Sequence, residues 1–408
     1  MTPGARLAAA AEILQEIFAL KAAADRTISA WGKAHRFAGS KDRAAIGQRV
    51  YAVLRRLNEC AFAMESRLPR ALVIGSLKVV DHFDAEQIGA LCVDGAHALG
   101  ALSDAELLTL AKSETSDRPW ISLNYPEWLH DELFLAFGQS LEAELHALSG
   151  RAPMDLRVNT LKARRADIIQ ELEGQGLSPR ACKTSATAIR LEAGSDVKVN
   201  QLPCYIDGRV EVQDESSQIA IGLAGASAGE TVVDLAAGGG GKAIGLAADM
   251  RDKGRLFVCD VGAERLERMI PRINRAGVSV IEFAGNPYAP RIHELVGEGA
   301  DLVFVDAPCS GSGTWRRNPE SKWTLSPERL DTFRAAQVSL LERAGALSKS
   351  DGRIVYAVCS VLRSEGIDQV TGFCERNAGW QVGQSVSLTP LRSGTDGFFA
   401  AELRRSVS

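Results

Sequence analysis

The sequence predicts a multi-domain chain: an all-α N-terminal domain, a small α+β middle domain and a C-terminal α/β domain on a parallel, Rossmann-like sheet. Three observations lead there. The 408 residues exceed what one hydrophobic core ordinarily serves. No strand-like run occurs before the polar stretch "KSETSDRP", Lys112 to Pro119. Beyond Asp207, apolar runs of strand length alternate with helical patterns, as in sheets whose parallel strands are joined by helices.

The expected first domain spans residues 1–118. Thr2 and Pro3 offer an N-cap and a first-turn proline, and Leu7, Leu14 and Ile17 approximate a helical stripe. In "KDRAAIGQRVYAVLRRLNECAF", Ile46, Val50, Val53 and Leu54 share one face, while Lys41, Arg43, Arg49, Arg55 and Arg56 lie mostly elsewhere. That basic face suits either RNA phosphates or plain solvation. The boundary falls at "KSETSDRP", polar and closed by proline.

The middle domain, residues 119–207, combines strand candidates "MDLRVN" and "AIRLEA" with the helical "ADIIQELEGQG". "RAPMDLRVNTLKARR" holds Arg151, Arg157, Lys162, Arg164 and Arg165 against a single acid, Asp155, a local imbalance that points to phosphate contact. The third domain, residues 208–408, carries the runs "TVVDLA", "RLFVCD", "SVIEFA", "DLVFVDA" and "RIVYAVC". Ligands of such sheets sit beyond the carboxyl ends of the strands.

Bulk composition narrows the function. With 47 basic and 51 acidic side chains, net charge −4, the chain does not coat nucleic acid indiscriminately, although a local basic cleft is compatible with these totals. No uncharged apolar run reaches membrane-spanning length, and Glu12 and Glu16 interrupt the Ala-rich start, so a soluble chain without a signal peptide is expected. The eight cysteines form no C-x-x-C pair and no zinc-like spacing with histidine, so no metal site is expected and reduced thiols in a cytoplasm are.

The stretch "VVDLAAGGGGKA" runs from a strand into a helix through glycines. A Walker A loop fits poorly, because Ala236 stands at its first glycine and Ala243 replaces its hydroxyl. A nicotinamide fingerprint lacks its third glycine, again at Ala243. An adenosyl cofactor without a phosphate chain, S-adenosylmethionine, suits Asp234 and Asp260 at two successive strand ends, where a carboxylate can accept from ribose hydroxyls. A plain glycine turn with solvated acids fits this stretch taken alone.

Cys309 in "DAPCSGSGTWRRNPESKW" and Cys359 in "YAVCS" each follow a strand run and each precede a serine. Both therefore face one crevice, with Asp306 as a partner for a substrate base. The remaining six cysteines read as core filler.

Together with "EVQDESSQIA", "YAVCSVLRSEG" and the closing "TDGFFAAEL", in this chain order, these stretches resemble the Sun/Nop family of RNA cytosine-5 methyltransferases. "GSKDRAAIGQRVYAVLRR" resembles the NusB-like RNA-binding domain of bacterial members acting on small-subunit ribosomal RNA, and "LRVNTLKARR" the segment before their catalytic domain. Essentially the whole chain is covered. The resemblance implies a Rossmann-like class I methyltransferase domain that makes 5-methylcytosine in RNA, with small-subunit ribosomal RNA as the expected substrate, S-adenosylmethionine as cofactor, and a monomer in the cytoplasm. Cys359 matches the nucleophile that adds to cytosine C6, Asp306 the acid that holds the cytosine edge, and Cys309 the cysteine linked to product release. Ala236, Ala237, Gly238, Gly239, Gly240, Gly241, Lys242, Asp260, Asn286 and Asp306 fall on cofactor-binding positions, with Lys242 also orienting Asp306. Arg316, Arg317 and Lys322, with Arg157 and Lys162, are the expected RNA contacts.

The chain departs from the family pattern at Gly239, where proline is usual, at Ala236 and Ala243, at Asn286, where aspartate is usual, and in "SEG", Ser364 to Gly366. Those departures motivate a rival reading, a noncatalytic RNA-binding ribosome assembly factor that retains the fold. An enzyme acting on a small molecule has no use for the helical front and the basic middle segment.

Overall fold

Local sequence sets the strand ends that matter here. The computed structural model describes residues 1–95, 97–112, 116–192 and 197–405, and divides into two compact units, Met1–Ser149 with Arg317–Ser326, and Gly150–Arg316 with Pro327–Ser408.

The first unit is helical. Its opening helix, Pro3–Leu20, begins as expected, with the Thr2 hydroxyl accepting from Ala5 N at 3.2 Å. Leu7, Ile13, Leu14 and Ile17 are buried against Ile46, Val50, Val53 and Leu54 of the helix Ser40–Arg55. Of the basic residues there, Arg49 donates to Ser76 Oγ and Asp81 at 3.0 and 2.6 Å, and Arg56, just past the helix, pairs with Glu59, while Lys41 and Arg43 are exposed. The expected boundary at residue 118 differs from the observed one, because the helices between Pro119 and Ser149 group with this unit; part of the "KSETSDRP" stretch, residues 113–115, lies outside the described residues. Asn58, buried, makes one of those ties by donating to the carbonyls of Trp120 and Tyr125.

The second unit starts with a four-stranded antiparallel sheet of β1 (Met154–Val158), β2 (Pro179–Ala181), β3 (Ala188–Leu191) and β4 (Val210–Val212), in the order β2-β3-β1-β4. The expected end of the middle domain at residue 207 falls short by one strand: β4 pairs with β1 through Leu156 and Val212. A three-residue strand is too short to show a period-two pattern, which is why β4 was not legible. Ala193, the last residue of "AIRLEA", lies outside the described residues.

The larger sheet contains β5 (Thr231–Asp234), β6 (Arg255–Cys259), β7 (Ile281–Gly285), β8 (Ala300–Asp306), β9 (Ser348–Val358), β10 (Trp380–Leu388) and β11 (Phe398–Arg405), ordered β10-β11-β9-β8-β5-β6-β7. The five strands read from the sequence are mutually parallel, while β11 runs antiparallel between β9 and β10. One face buries Val232, Leu256, Phe304 and Val355 under the helix Gly241–Asp249; the other buries Val233, Phe257, Val303 and Tyr356 under the helix Pro327–Leu347. Strand order reverses around β5, between β8 and β6, so a crevice opens beyond their carboxyl ends. Among the described residues no helix is long and apolar enough to cross a membrane, and all eight cysteines are free.

Candidate active site

Parallel register brings the two cysteines to the same edge of the sheet. Asp306 ends β8 opposite Ala357 of β9, so Cys309 and Cys359, a few residues past these partners, leave the sheet at the same edge. Their sulfurs lie 3.4 Å apart, and both side chains are half-buried. Ala307 N donates to Ala357 O, and Gly313 N to Cys359 O, which ties the two loops by their backbones as well.

Asp306 is held by Lys242, whose Nζ is 2.5 Å from its Oδ2. Burial opposes the Lys242 charge, yet the Asp306 carboxylate, helped by Cys359 and Asp234, keeps the ammonium pKa above its ordinary value. Cys309 has its thiol pKa pushed well up by its hydrogen bond to Cys359, by burial, and by the negative potential of Cys359 and Glu365.

The glycine turn after β5 bends through left-handed backbone at Gly238, φ 54°, and Gly240, φ 79°. At Gly240 a side chain would also meet Met269, whose Cγ lies 2.2 Å from where a Cβ would stand. Asp260, just past β6, accepts from Gly238 N at 3.1 Å and Gly262 N at 2.7 Å, bracing the turn while retaining lone pairs for a ligand. Asp234 is fully buried; one oxygen accepts from Ala236 N and the other has no hydrogen-bond partner among the described residues. Burial and the nearby Asp306 raise its pKa to about 7. An adenosyl group with its hydroxyls, amine and cationic sulfur fits such a cradle of exposed backbone and acids. Asn286, exposed beyond β7, accepts from Tyr288 N and is placed on the same edge of the sheet.

Three of the five expected RNA contacts are withdrawn by the structure. Arg157 is buried in β1, where Nη1 donates to the Gly241 carbonyl and to Gln213, so it braces the turn instead of meeting solvent. Arg316 is buried against Asp396 at 2.8 Å. Lys322 is 2% exposed inside the helical unit, because the chain from Arg317 to Ser326 packs there: Trp323 donates to Leu54 O and Glu320 accepts from Ala24 N. Arg317 is half-buried in that same segment. Lys162 is exposed, with Nζ on the carbonyls of Asp207 and Arg275 at 3.0 and 2.7 Å.

Other site residues escaped the sequence reading. Ser310, Ser312, Ser360 and Glu365 form a buried hydrogen-bonded cluster directly behind the cysteines. The serine after each cysteine was a visible signal; the acid six residues beyond Cys359 was not a pattern by itself. Arg190 is a second omission. Asp155, Cys182 and Glu215 place ligand atoms within 4.8 Å of one another, a metal-like grouping, but the Arg190 guanidinium holds Asp155 through two 2.7 Å bonds and lies 3.6 Å from Glu215. The positive charge there is the arginine.

A seven-stranded sheet of this order, with an acid-flanked glycine turn at its switch point, defines a class I methyltransferase, and its methyl donor is S-adenosylmethionine. Residues 222–404 match the 16S rRNA methyltransferase RsmB/F family, and residues 125–198 its ferredoxin-like domain. The chain is 30% identical over 319 residues to the ribosomal RNA small subunit methyltransferase B of Pseudomonas syringae pv. tomato, covering 74% of this chain and 70% of the relative. It is 29% identical over 395 residues, 90% of each chain, to that of Xanthomonas campestris pv. campestris. Against the Serratia proteamaculans relative the matched stretch spans 66% of the relative's length. A solved methyltransferase homolog protein from Pyrococcus horikoshii shares the fold, with a TM-score of 0.62 and 24% identity over 70% of this chain and 97% of that one. The chain belongs to the RsmB/F family of methyltransferases.

Proposed function

We propose that this protein methylates C5 of a cytosine in small-subunit ribosomal RNA through a covalent bond between Cys359 and C6 of the base. The observation that carries the reading is the 3.4 Å approach of Cys309 and Cys359 at the strand ends beside Asp306, which Lys242 holds from the neighbouring helix. C5 of cytosine is a poor nucleophile. Addition of the Cys359 thiolate to C6 converts it into a carbon able to take a methyl group, splitting one hard step into two easier ones. Asp306, fixed by Lys242, hydrogen-bonds the cytosine edge and stabilises charge that develops in the ring. After methyl transfer the C5 proton is removed, the C6–S bond breaks and Cys359 leaves as thiolate, a release to which Cys309 contributes. The names of the relatives support ribosomal RNA as the substrate class.

S-adenosylmethionine, when bound, supplies the methyl group. Residues 236–242, Asp260 and Asn286 are the groups proposed to hold it, and Asp234 lies beneath them. The target base must leave its stack to reach the cysteines. Of the five cations expected at the RNA, Lys162 keeps an exposed position.

The test is incubation with unmodified small-subunit RNA and methyl-labelled cofactor, followed by mapping of the label. Cys359→Ala should abolish transfer, and Cys309→Ala should accumulate a protein–RNA adduct that survives denaturing electrophoresis. Label on another atom or base, or a fully active Cys309→Ala protein without adduct, overturns the assignment.

A further inference from the structure

We propose that Glu365 is a positioning residue that holds both cysteine loops in register from behind, and so sets which of the two sulfurs is the nucleophile. The inference rests on the catalytic reading of Cys309 and Cys359 given above.

Glu365 is fully buried, and among the described residues it makes no ion pair. A buried carboxylate without a cation is tolerated only when donors saturate it. Four do. Oε1 accepts from Ser310 N at 2.8 Å and Gln337 Nε2 at 3.2 Å, and Oε2 accepts from Ser310 Oγ at 2.5 Å and Ser360 Oγ at 2.6 Å. Ser310 follows Cys309, and Ser360 follows Cys359. One carboxylate thus grips the residue after each cysteine.

The grip is closed on the other side. Gln337, also buried, donates from the same nitrogen to Pro308 O at 2.9 Å, so the residues before and after Cys309 are both pinned. Ser312 Oγ lies 2.9 Å from Ser360 Oγ and accepts from Val361 N, and Ser360 Oγ accepts from Leu362 N. The carbonyl of Glu365 accepts from Tyr356 OH at 2.6 Å, anchoring the whole device to β9. The residues that flank the sulfurs are thus held by this one cluster, while the sulfurs themselves lie 3.4 Å apart in front of it.

Charge acts in the same direction as geometry. The Glu365 carboxylate adds to the negative potential that raises the Cys309 thiol pKa, after the hydrogen bond to Cys359 and burial. A merely structural role predicts an effect on stability alone. Positioning predicts a change in how the two sulfurs react.

The deciding measurement, the alkylation ratio of the two cysteines, uses the full chain without RNA, so that it does not depend on the methylation reading. Glu365→Gln keeps shape but removes the charge and one acceptor. Iodoacetamide labelling, read for each cysteine by peptide mass, should show alkylation of Cys309 rising about tenfold relative to Cys359. In turnover assays kcat should fall on the order of 100-fold while the KM for S-adenosylmethionine stays unchanged. Ser360→Ala, which removes one donor and leaves the carboxylate in place, should move both readouts in the same sense by less, and covers the case in which Glu365→Gln does not fold. An unchanged alkylation ratio in a folded variant overturns the proposal. A shifted ratio in a protein that never labels RNA supports the positioning role and sinks the methylation reading instead.

Discussion

Lys242 Nζ and Asp306 Oδ2, 64 residues apart in the chain, meet at 2.5 Å at the edge where the glycine turn faces the cysteine loops. The lysine sits at the start of the helix Gly241–Asp249 and the aspartate at the end of β8, so the pair ties the glycine turn to the strand end that leads into the Cys309 loop. Lys242 is half-buried, and its chain passes near Phe398.

Lys242→Met should therefore free the Asp306 carboxylate to rotate. The expected result is a kcat/KM for RNA lower by roughly 100-fold, the cost of about 1 Å of misplacement at a reacting centre. Protein that retains its thermal midpoint and its turnover would show that Asp306 is oriented by other contacts.

Asp234 carries a pH dependence with a definite sign. Its pKa in the folded chain is raised from 3.8 to about 7 by burial and by Asp306. The folded state then binds the proton more tightly than the unfolded chain does. The contribution to stability is full below about pH 4 and is lost as pH rises to about 7. Asp234→Asn removes this loss. Urea unfolding should show the variant gaining on the parent protein between pH 4 and 8, by up to about 4 kcal/mol. A difference that stays constant with pH would place the group's proton affinity near that of an ordinary carboxylate.

The Arg190 bridge offers a test of stability. Arg190, Asp155 and Glu215 are all buried, and the arginine also donates to Gly394 O, in the turn before β11. Arg190→Met leaves two buried carboxylates facing each other. Loss of about 3–5 kcal/mol is expected, read as a lower urea midpoint, because the charges that remain have lost their partner. Replacing Arg190 and both acids together should cost less than Arg190→Met alone.

How much of this was legible depended on whether a local pattern carried it. The five parallel strands were, because each is a continuous apolar run, as "DLVFV" is in β8. Strands β10 and β11 were not read as strands from the residues: in "WQVGQSVSL" glycine and serines break the pattern, and "FFAAEL" reads equally as helix by composition. The cysteine pair was legible because both runs end at the same kind of turn. The burial of Arg157, Arg316 and Lys322 was not, since their partners, Gln213, Asp396 and the helical unit, are distant in sequence and only the fold supplies them. Glu365 belongs to the same class: its ligands come from residues 310, 337 and 360.

A close backbone approach joins the loop after Cys309 to the turn before β11, and it sets an expectation for a single methyl group. Gly313, in the loop after Cys309, accepts from Gly397 N at 2.8 Å and donates to Cys359 O at 3.1 Å. A Cβ on Gly313 would stand 1.8 Å from Gly397 O, and one on Gly397 would stand 2.6 Å from Gly313 Cα. Backbone cannot yield as a flexible side chain does, so Gly313→Ala must push the loop away from β11 and with it the Cys309 sulfur from Cys359. Gly397→Ala should do the same from the other side. Both variants should lose about 1–3 kcal/mol of stability and lose RNA methylation almost completely, whereas cofactor binding at the glycine turn, read by calorimetry, should persist. Full turnover by either variant would mean that the two cysteine loops do not need this contact to hold the sulfurs together.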